Sequence, residues 1–353
     1  MAPMGAFVNA THTAKIRIHQ KAKKTMKRIL SIDGGGIKGT QPAAFLAKLE
    51  EDLDQPIGRY FDLIAGTSTG GILAIGLAMG ISAKTLLALY ETRGPTIFGQ
   101  AEEKGWLGRK TRDVRAAMRH WVKPKHELSV LRDELYGVLG DRLIGDAQTR
   151  LMVPAWDADQ RSVYIYKTAH HPRLTTDHRK PALDAALATS AAPSYFASHK
   201  TVDDIGLLDG GTWCNNPVGV VTVEAISMLG WSPSELNILS LGCVDEVYML
   251  PEAPGKVGLG VKALSLLMDG QSRGALGIAR QLTGDPYERT VVHRYSPTVP
   301  ADFFSLDDTS KIQRLKGLGA SSARHATPTL SPIFFQHPAE PFVPAHYTER
   351  SAA

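Results

Sequence analysis

Cysteine is scarce in this chain of 353 residues, which contains only Cys214 and Cys243. Neither belongs to a Cys-x-x-Cys pair or has the spacing of a metal site, so neither cysteine indicates a bound metal. Secreted disulfide scaffolds use more cysteine, which favours a reducing cytoplasm. Long apolar stretches are also lacking: no run reaches the roughly 20 residues that span a bilayer, and residues 1–20 hold no secretory apolar region. We expect a cytoplasmic protein that reaches any lipid from the water side.

Acidic residues are missing from the first part of the chain. Residues 1–26 contain five lysines and arginines and no Asp or Glu. We expect a solvated, flexible arm there, with a membrane-surface anchor as the alternative. The whole chain is only mildly basic, with a net charge of +5. Such an excess suits an enzyme that meets anionic headgroups, and the absence of an aromatic-interleaved basic stripe argues against a nucleic-acid polymer as partner.

Strand and helix patterns alternate from residue 27 onward. Apolar runs at 27–32 and 60–65 predict strands, and the segments 41–53 and 69–79 predict helices. This order predicts an α/β fold with a parallel sheet covered by helices. We expect one folded domain over 27–327, in which the polar, basic segment 94–150 forms a cap or lid. Residues 203–217 are expected to form a loop, and the segment 328–353, rich in Pro and aromatics, to be irregular.

A serine between glycines follows the second predicted strand. Residues Gly66–Gly70 read Gly-Thr-Ser-Thr-Gly and stand between an apolar strand and a helix of small residues. This context is typical of a nucleophile elbow, a tight turn whose glycines avoid Cβ clashes. A helix that begins behind Ser68 would place its amides near developing negative charge. The alternative is a glycine-rich turn in which the serine caps the helix.

A second glycine turn follows the first predicted strand, where residues Asp33–Gly39 read Asp-Gly-Gly-Gly-Ile-Lys-Gly. Consecutive glycines can point their amides at one spot and hold an oxyanion or a phosphate. The spacing also satisfies Gly-x-Gly-x-x-Gly. A dinucleotide site, however, needs an acidic residue at the end of the second strand, and the chain has Ser68 there. An oxyanion hole that faces a serine nucleophile therefore fits the pattern better.

A serine nucleophile needs a base, and none of the 12 histidines stands in a telling local setting. Asp209 does, because it follows two leucines and precedes two glycines, as at a strand end with open backbone around it. Partial burial would raise its pKa toward the range of a useful base. The alternative is an Asx turn. Asn215 and Asn216 are then candidates to fix this loop by hydrogen bonds.

Together, in this order, the motifs Asp33–Gly39, Gly66–Gly70 and Asp209–Gly211 resemble the patatin-like phospholipases. The resemblance extends to Ala188–Phe196 and Asn215–Pro217 and covers about residues 27–245. It implies a three-layer α/β/α fold with a mostly parallel central sheet. It also implies a Ser–Asp dyad without histidine and no metal or other cofactor for catalysis.

The resemblance also implies a role for each site residue. Ser68 would attack the ester carbonyl, and Asp209 would take its proton and later activate water. Lys38 stands where many relatives carry Arg and would lend positive charge near the oxyanion or a lipid phosphate. Backbone amides of the glycine turn and of the residue after the nucleophile would hold the oxyanion: Gly34, Gly35, Gly36 and Thr69.

Within that family, the sequences of residues 94–98 and 164–168 are most similar to those of bacterial effectors of anti-phage signalling. Those phospholipases are switched on by cyclic dinucleotides such as cyclic GMP–AMP and degrade the inner membrane. The resemblance thus implies a membrane phospholipid substrate, a cyclic dinucleotide activator and attachment to the inner membrane when active. The sequence gives no oligomeric state, and activation by assembly into a homo-oligomer is a further hypothesis. Basic residues of 94–150 are candidates for the nucleotide site, with a solvated basic face as the alternative: Arg109, Lys110, Arg112 and Arg115.

Three other functions stay open at this point. One is a constitutive lipid hydrolase without nucleotide control, and another is a catalytically silent module that binds a nucleotide. The third is a soluble esterase with a Ser-His-Asp triad.

Overall fold

The computed structural model describes residues 25–98, 128–193, 195–247, 256–300 and 303–348. The strands are β1 (Lys27–Ile32), β2 (Leu63–Gly66), β3 (Arg150–Asp157), β4 (Ser162–Lys167), β5 (His199–Lys200), β6 (Gly206–Asp209), β7 (Leu236–Leu241), β8 (Asp245–Val247), β9 (Val292–Tyr295) and β10 (Thr298–Pro300). The helices are α1 (Thr40–Glu50), α2 (Thr69–Ala78), α3 (Ala83–Phe98), α4 (Leu128–Leu139), α5 (Ala182–Ser190), α6 (Gly211–Cys214), α7 (Val218–Val223), α8 (Lys256–Thr283) and α9 (Ile312–Phe334).

The central sheet has the strand order β5-β6-β3-β2-β1-β7-β9, with β4 paired to β3. Five adjacent strands of this order run parallel to one another: β3, β2, β1, β7 and β9. In contrast, β4 and β6 run antiparallel to β3. Both β1 and β7 are almost wholly buried, as strands covered on both faces must be. The structure thus confirms the predicted α/β fold with a mostly parallel sheet.

Alternate residues of the strands feed two separate cores, because successive side chains point to opposite faces of a sheet. Leu30 and Ile64 pack into the larger cluster, which α1, α2, α3 and α9 help to form. Their neighbours Ile29 and Leu63 pack on the other face, in the smaller cluster with α7 and part of α8. Helices therefore cover both faces of the sheet, which gives the predicted three layers.

Two predictions of local structure were wrong. The helix α9 continues through Pro328 and Pro332 to Phe334, where we expected an irregular segment from Pro328 onward. Leu330 and Phe334 are fully buried, and their burial outweighs the hydrogen bonds that the prolines cannot make. The predicted loop 203–217 contains β6 and the short α6, because β6 completes hydrogen bonds with both β3 and β5.

Part of the predicted cap, 94–150, is described. It holds the end of α3 and the whole of α4. The candidates for the nucleotide site lie outside the described residues: Arg109, Lys110, Arg112 and Arg115. Among the helices that the structure describes, none combines the length and the apolar character that a bilayer crossing requires.

Candidate active site

Ser68 occupies the tight turn between β2 and α2 with a left-handed backbone, φ 55° and ψ −126°. Such a conformation costs about 1–3 kcal/mol in a residue other than glycine, so the surrounding structure must hold it. The turn closes only with glycines beside it. A Cβ on Gly66 would lie 2.0 Å from the carbonyl oxygen of Gly70, and one on Gly70 would lie 2.5 Å from that of Asp33. Ser68 thus stands half-buried at the start of α2, in the geometry of a nucleophile elbow.

Asp209 ends β6 and lies within hydrogen-bonding reach of that serine. Its carboxylate accepts a hydrogen bond of 2.6 Å from the amide of Gly211, and it lies near enough to the Ser68 side chain for the two to interact. Burial raises the pKa of Asp209 to about 7, although the Ser68 side chain and the Gly211 amide both lower it. A carboxyl group with a pKa near neutrality can take a proton from a hydroxyl and return it.

Histidines of the described chain stand apart from this pair. None of the described residues that line the cavity around Ser68 is a histidine. His199 does face a carboxylate, 2.9 Å from Asp184, but neither of them lines that cavity. The geometry therefore gives no support to a Ser-His-Asp triad.

The glycine turn after β1 divides into a structural part and a part that lines the cavity at Ser68. The amide of Gly34 donates to the carbonyl of Asn215 over 3.0 Å, and a Cβ at Gly34 would lie 2.5 Å from the Asn215 Oδ1. That hydrogen bond gives Gly34 a structural place in the turn instead of its predicted place among the oxyanion donors. Gly35 and Gly36 line the cavity together with Thr69.

The amides on the cavity side differ in their partners. The amide of Gly35 donates to the Thr69 hydroxyl over 3.2 Å. Within the described part of the chain, no hydrogen-bond partner is found for the amides of Gly36 and Thr69. Gly36 has a positive φ of 57°, and a Cβ there would lie 2.3 Å from the carbonyl oxygen of Leu306. Only glycine fits at this position.

Arg294 of β9 anchors the glycine turn, and sequence reasoning missed it. Its guanidinium makes two hydrogen bonds to the Asp33 carboxylate, of 2.9 and 2.7 Å, and a third to Ser240 on the intervening β7. Burial alone would lower the pKa of Arg294, but the Asp33 carboxylate raises it. An arginine on a short distant strand gives no signal in the sequence that links it to Asp33.

Lys38 takes a different place from the predicted one. It lies in the single turn Gly36–Gly39, and its ammonium group is 3.2 Å from Glu246 of β8. It is not among the residues that line the cavity. Its charge is therefore paired beside the turn and does not face the place where an oxyanion would form.

Asn215 and Asn216 tie the loop after Asp209 to its neighbours. The Asn215 side chain donates to the carbonyl of Gly34 over 3.3 Å. Asn216 accepts from the amide of Val218 and contacts α8 through Gln271 and Ser272. These bonds connect the Asp209 loop to both the glycine turn and α8.

The cavity at Ser68 has a volume of about 490 Å³, well within the range of about 300–1,000 Å³ that is typical of ligand sites. Its lining includes the side chains of Ser68 and Asp209. Its walls are mostly apolar and come from α2, α3, α4 and the segment after α5: Ile72, Phe98, Leu131 and Phe196. All four of these side chains are buried, whereas Leu267 of α8 is 70% exposed where it lines the cavity. This shape suits a substrate with a long apolar part.

No metal is suggested by the side chains in the described ranges. They contain no group of three or more His, Cys, Asp or Glu residues that are placed to hold an ion.

Known proteins are similar to this chain in sequence and in structure. The family model described as patatin-like phospholipase matches residues 30–222. A cGAMP-activated phospholipase of Pseudomonas aeruginosa is 31% identical over 296 residues, which cover 83% of this chain and 81% of that protein. A Vibrio cholerae protein of the same name is 34% identical over 64% of this chain and 67% of its own length.

Among solved structures, VipD from Legionella pneumophila is similar over 86% of this chain and 67% of its own, with 12% identity and a TM-score of 0.43. The family model and the two sequence relatives confirm the predicted family. The chain belongs to the patatin-like phospholipases and is a lipid acyl hydrolase.

Proposed function

We propose that Ser68 and Asp209 form a catalytic dyad that cleaves fatty-acyl esters of membrane phospholipids. One observation carries the proposal: a serine in a strained elbow and a buried carboxylate that its side chain influences line the same, mostly apolar cavity. A pKa near 7 leaves a large fraction of Asp209 ionised at neutral pH, ready to accept the proton.

In the first half of the reaction, Asp209 takes the hydroxyl proton while the Ser68 oxygen bonds to the ester carbonyl carbon. The carbonyl oxygen becomes an oxyanion, which the amides of Gly36 and Thr69 hold, with Gly35 as a third donor once its amide leaves the Thr69 hydroxyl. The carbon–oxygen bond to the leaving alcohol then breaks, and the proton on Asp209 passes to that alcohol. The acyl group remains on Ser68.

Water completes the reaction. Asp209 takes a proton from a water molecule, whose oxygen attacks the acyl carbonyl, and the same amides hold the second oxyanion. The bond to Ser68 breaks, the proton returns to the serine oxygen, and a free fatty acid leaves. The apolar walls of α2, α3 and α4 are suited to the acyl chain throughout.

A cyclic dinucleotide is proposed as the activator. Two relatives, which align with 83% and 64% of this chain, are called cGAMP-activated phospholipases. Their names support activation by a cyclic dinucleotide here. The role in anti-phage defence, the action at the inner membrane from the cytoplasm and an assembly into homo-oligomers belong to this proposal. The basic candidates remain a prediction for the nucleotide site: Arg109, Lys110, Arg112 and Arg115.

The test is hydrolysis of a fluorogenic phospholipid in vesicles across a panel of cyclic dinucleotides. Wild-type protein should release fatty acid with one or a few of the nucleotides, and Ser68→Ala should lose several orders of magnitude in rate. Equal hydrolysis with and without every nucleotide would support a constitutive lipid hydrolase instead. Tight nucleotide binding without hydrolysis of any ester would support a silent binding module.

A further inference from the structure

Thr189, near the end of α5, contacts the backbone of the elbow. Its Oγ1 accepts a hydrogen bond from the amide of Ser68 over 3.0 Å and donates to the carbonyl of Pro154 over 2.6 Å. The side chain is fully buried. One hydroxyl therefore joins the nucleophile's own residue to β3, the strand that pairs with the base-bearing β6.

The same segment also holds the backbone around Asp209. The carbonyl of Thr189 accepts from the amide of Gly210 over 3.3 Å, and the carbonyl of Ala191 accepts from the amide of Asp209 over 3.0 Å. Nucleophile and base come from distant parts of the sequence, and residues 189–191 bond to the main chain of both. The backbone of Pro154 packs tightly against the Asp209 loop, since a Cβ on Gly210 would lie 2.3 Å from the Pro154 carbonyl oxygen.

We propose that Thr189 is a positioning residue, whose hydroxyl sets the placement of Ser68 relative to Asp209. This inference rests on the dyad proposed above and names a further residue for the same reaction. Thr189 touches no reacting atom itself. It acts through the backbone amide of Ser68 and through the strand that carries Asp209.

The physical argument is that the elbow is strained and must be held from outside. The backbone of Ser68 has a positive φ, so its amide needs a fixed partner to keep that conformation. The methyl group of Thr189 adds a steric limit, because a Cβ on Gly71 would lie 2.7 Å from the Thr189 Cγ2. The hydroxyl and the methyl of this one side chain thus fix the turn from two directions.

Steady-state hydrolysis of the fluorogenic phospholipid by the full chain, with each cyclic dinucleotide of the same panel, tests the role. Thr189→Val keeps the shape but removes both hydrogen bonds, and we expect kcat to fall about 10- to 100-fold with KM nearly unchanged. Thr189→Ser keeps the hydroxyl and should recover most of kcat. Labelling of Ser68 by a fluorophosphonate should be much slower in Thr189→Val than in wild type and only slightly slower in Thr189→Ser.

The matched control is Thr222→Val, the same substitution at another fully buried threonine, whose hydroxyl donates to the Val218 carbonyl over 2.7 Å in α7. It should keep kcat, although it loses a buried hydrogen bond as well. All variants are assayed below their unfolding temperatures, so that loss of folded protein does not imitate loss of rate.

Three results would overturn the inference: wild-type kcat in Thr189→Val, equal impairment in Thr189→Ser and Thr189→Val, or equal loss in Thr222→Val. Failure of the proposed dyad looks different. In that case Ser68→Ala hydrolyses as fast as wild type, or wild type hydrolyses no ester with any nucleotide, and the role of Thr189 falls with it.

Discussion

At the scale of single residues, the chemistry depends on placing a carboxylate in an apolar surrounding without losing its hydrogen bonds. Asp209 is only 4% exposed, yet its carboxylate accepts a hydrogen bond from the Gly211 amide and interacts with the Ser68 side chain. Burial disfavours the charged form, and this is what brings its pKa to about 7. The side chain therefore combines a catalytic benefit with a cost to the folded state.

The first prediction concerns pH and rate. Only ionised Asp209 can accept the serine proton, so kcat/KM should be low in acid, rise with an apparent pKa of about 7 and reach a plateau above it. Vesicle hydrolysis between pH 5 and pH 9 measures this profile. A profile that is already flat above pH 5 would show that Asp209 is not the base.

The second prediction concerns pH and stability. The pKa of Asp209 is higher in the folded chain than in the unfolded one, so its ionisation destabilises the fold. The resulting loss in unfolding free energy is absent in strong acid and grows as pH rises from about 4 to about 7. Above that pH it stays constant, on the order of 4 kcal/mol. Asp209→Asn should therefore be more stable than wild type at pH 8, and this gain should vanish at pH 4 in urea titrations.

Asp184 provides a control of opposite sign for that experiment. Burial alone would raise its pKa, but the hydrogen bonds from His199 and from the amide of Val202 hold the pKa below its usual range. Ionisation of Asp184 thus stabilises the folded chain. Asp184→Asn should lose stability at pH 8, and a gain in both Asn variants would contradict the account.

At the scale of secondary-structure elements, one ion pair links strands that are not neighbours. Arg294 on β9 reaches across β7 to Asp33 at the end of β1, and both side chains are nearly buried. The pair fixes Asp33, the first residue of the glycine turn, and the proposed oxyanion donors Gly35 and Gly36 come shortly after it in the chain. Loss of Arg294 would leave the Asp33 carboxylate buried without a partner, and an unpaired buried charge strongly destabilises the folded chain.

The third prediction follows from this pair. Arg294→Met leaves a buried Asp33 without its partner and should cost about 3–5 kcal/mol of unfolding free energy in urea titrations. Combining it with Asp33→Asn should recover much of that loss, because no buried charge remains unpaired. If the double variant is as unstable as the sum of the single variants, the pair is not the reason for the loss.

Sequence patterns identified the elements that are buried and regular, and failed where tertiary contacts decide. The apolar run at 27–32 matches β1 to the residue, and the run at 60–65 overlaps β2, which begins three residues later. The four-residue β6 escaped because its pairing with β3 and β5 leaves no periodic signal. For the site, the motifs pointed to Ser68 and Asp209, whereas the pairing of Lys38 and the anchor Arg294 depend on contacts distant in sequence.

At the scale of the whole molecule, the layers leave a cavity where several helices meet the carboxyl ends of the parallel strands. Its inner wall includes Leu131 of α4, which is 1% exposed. The wall is formed by packed helices, so its volume is set by side chains that do not take part in the chemistry. Substrate length should therefore depend on these residues.

The fourth prediction concerns this wall. Leu131→Trp fills part of the cavity and should lower kcat/KM for long acyl chains relative to short ones by about tenfold or more. Leu131→Met, which nearly conserves volume, is the control and should keep the wild-type ratio. The ratio is measured with phospholipids that differ only in acyl length. An unchanged ratio in Leu131→Trp would place the acyl chain elsewhere.

The central claim, that Asp209 activates the hydroxyl of Ser68, is tested most directly by the rate and position of labelling with a fluorophosphonate. We predict one phosphonyl group per chain on the peptide that contains Ser68, loss of hydrolysis with the label, and labelling slowed by orders of magnitude in Asp209→Asn. A label on another residue, or equally fast labelling of Ser68 without the carboxylate, would contradict the account.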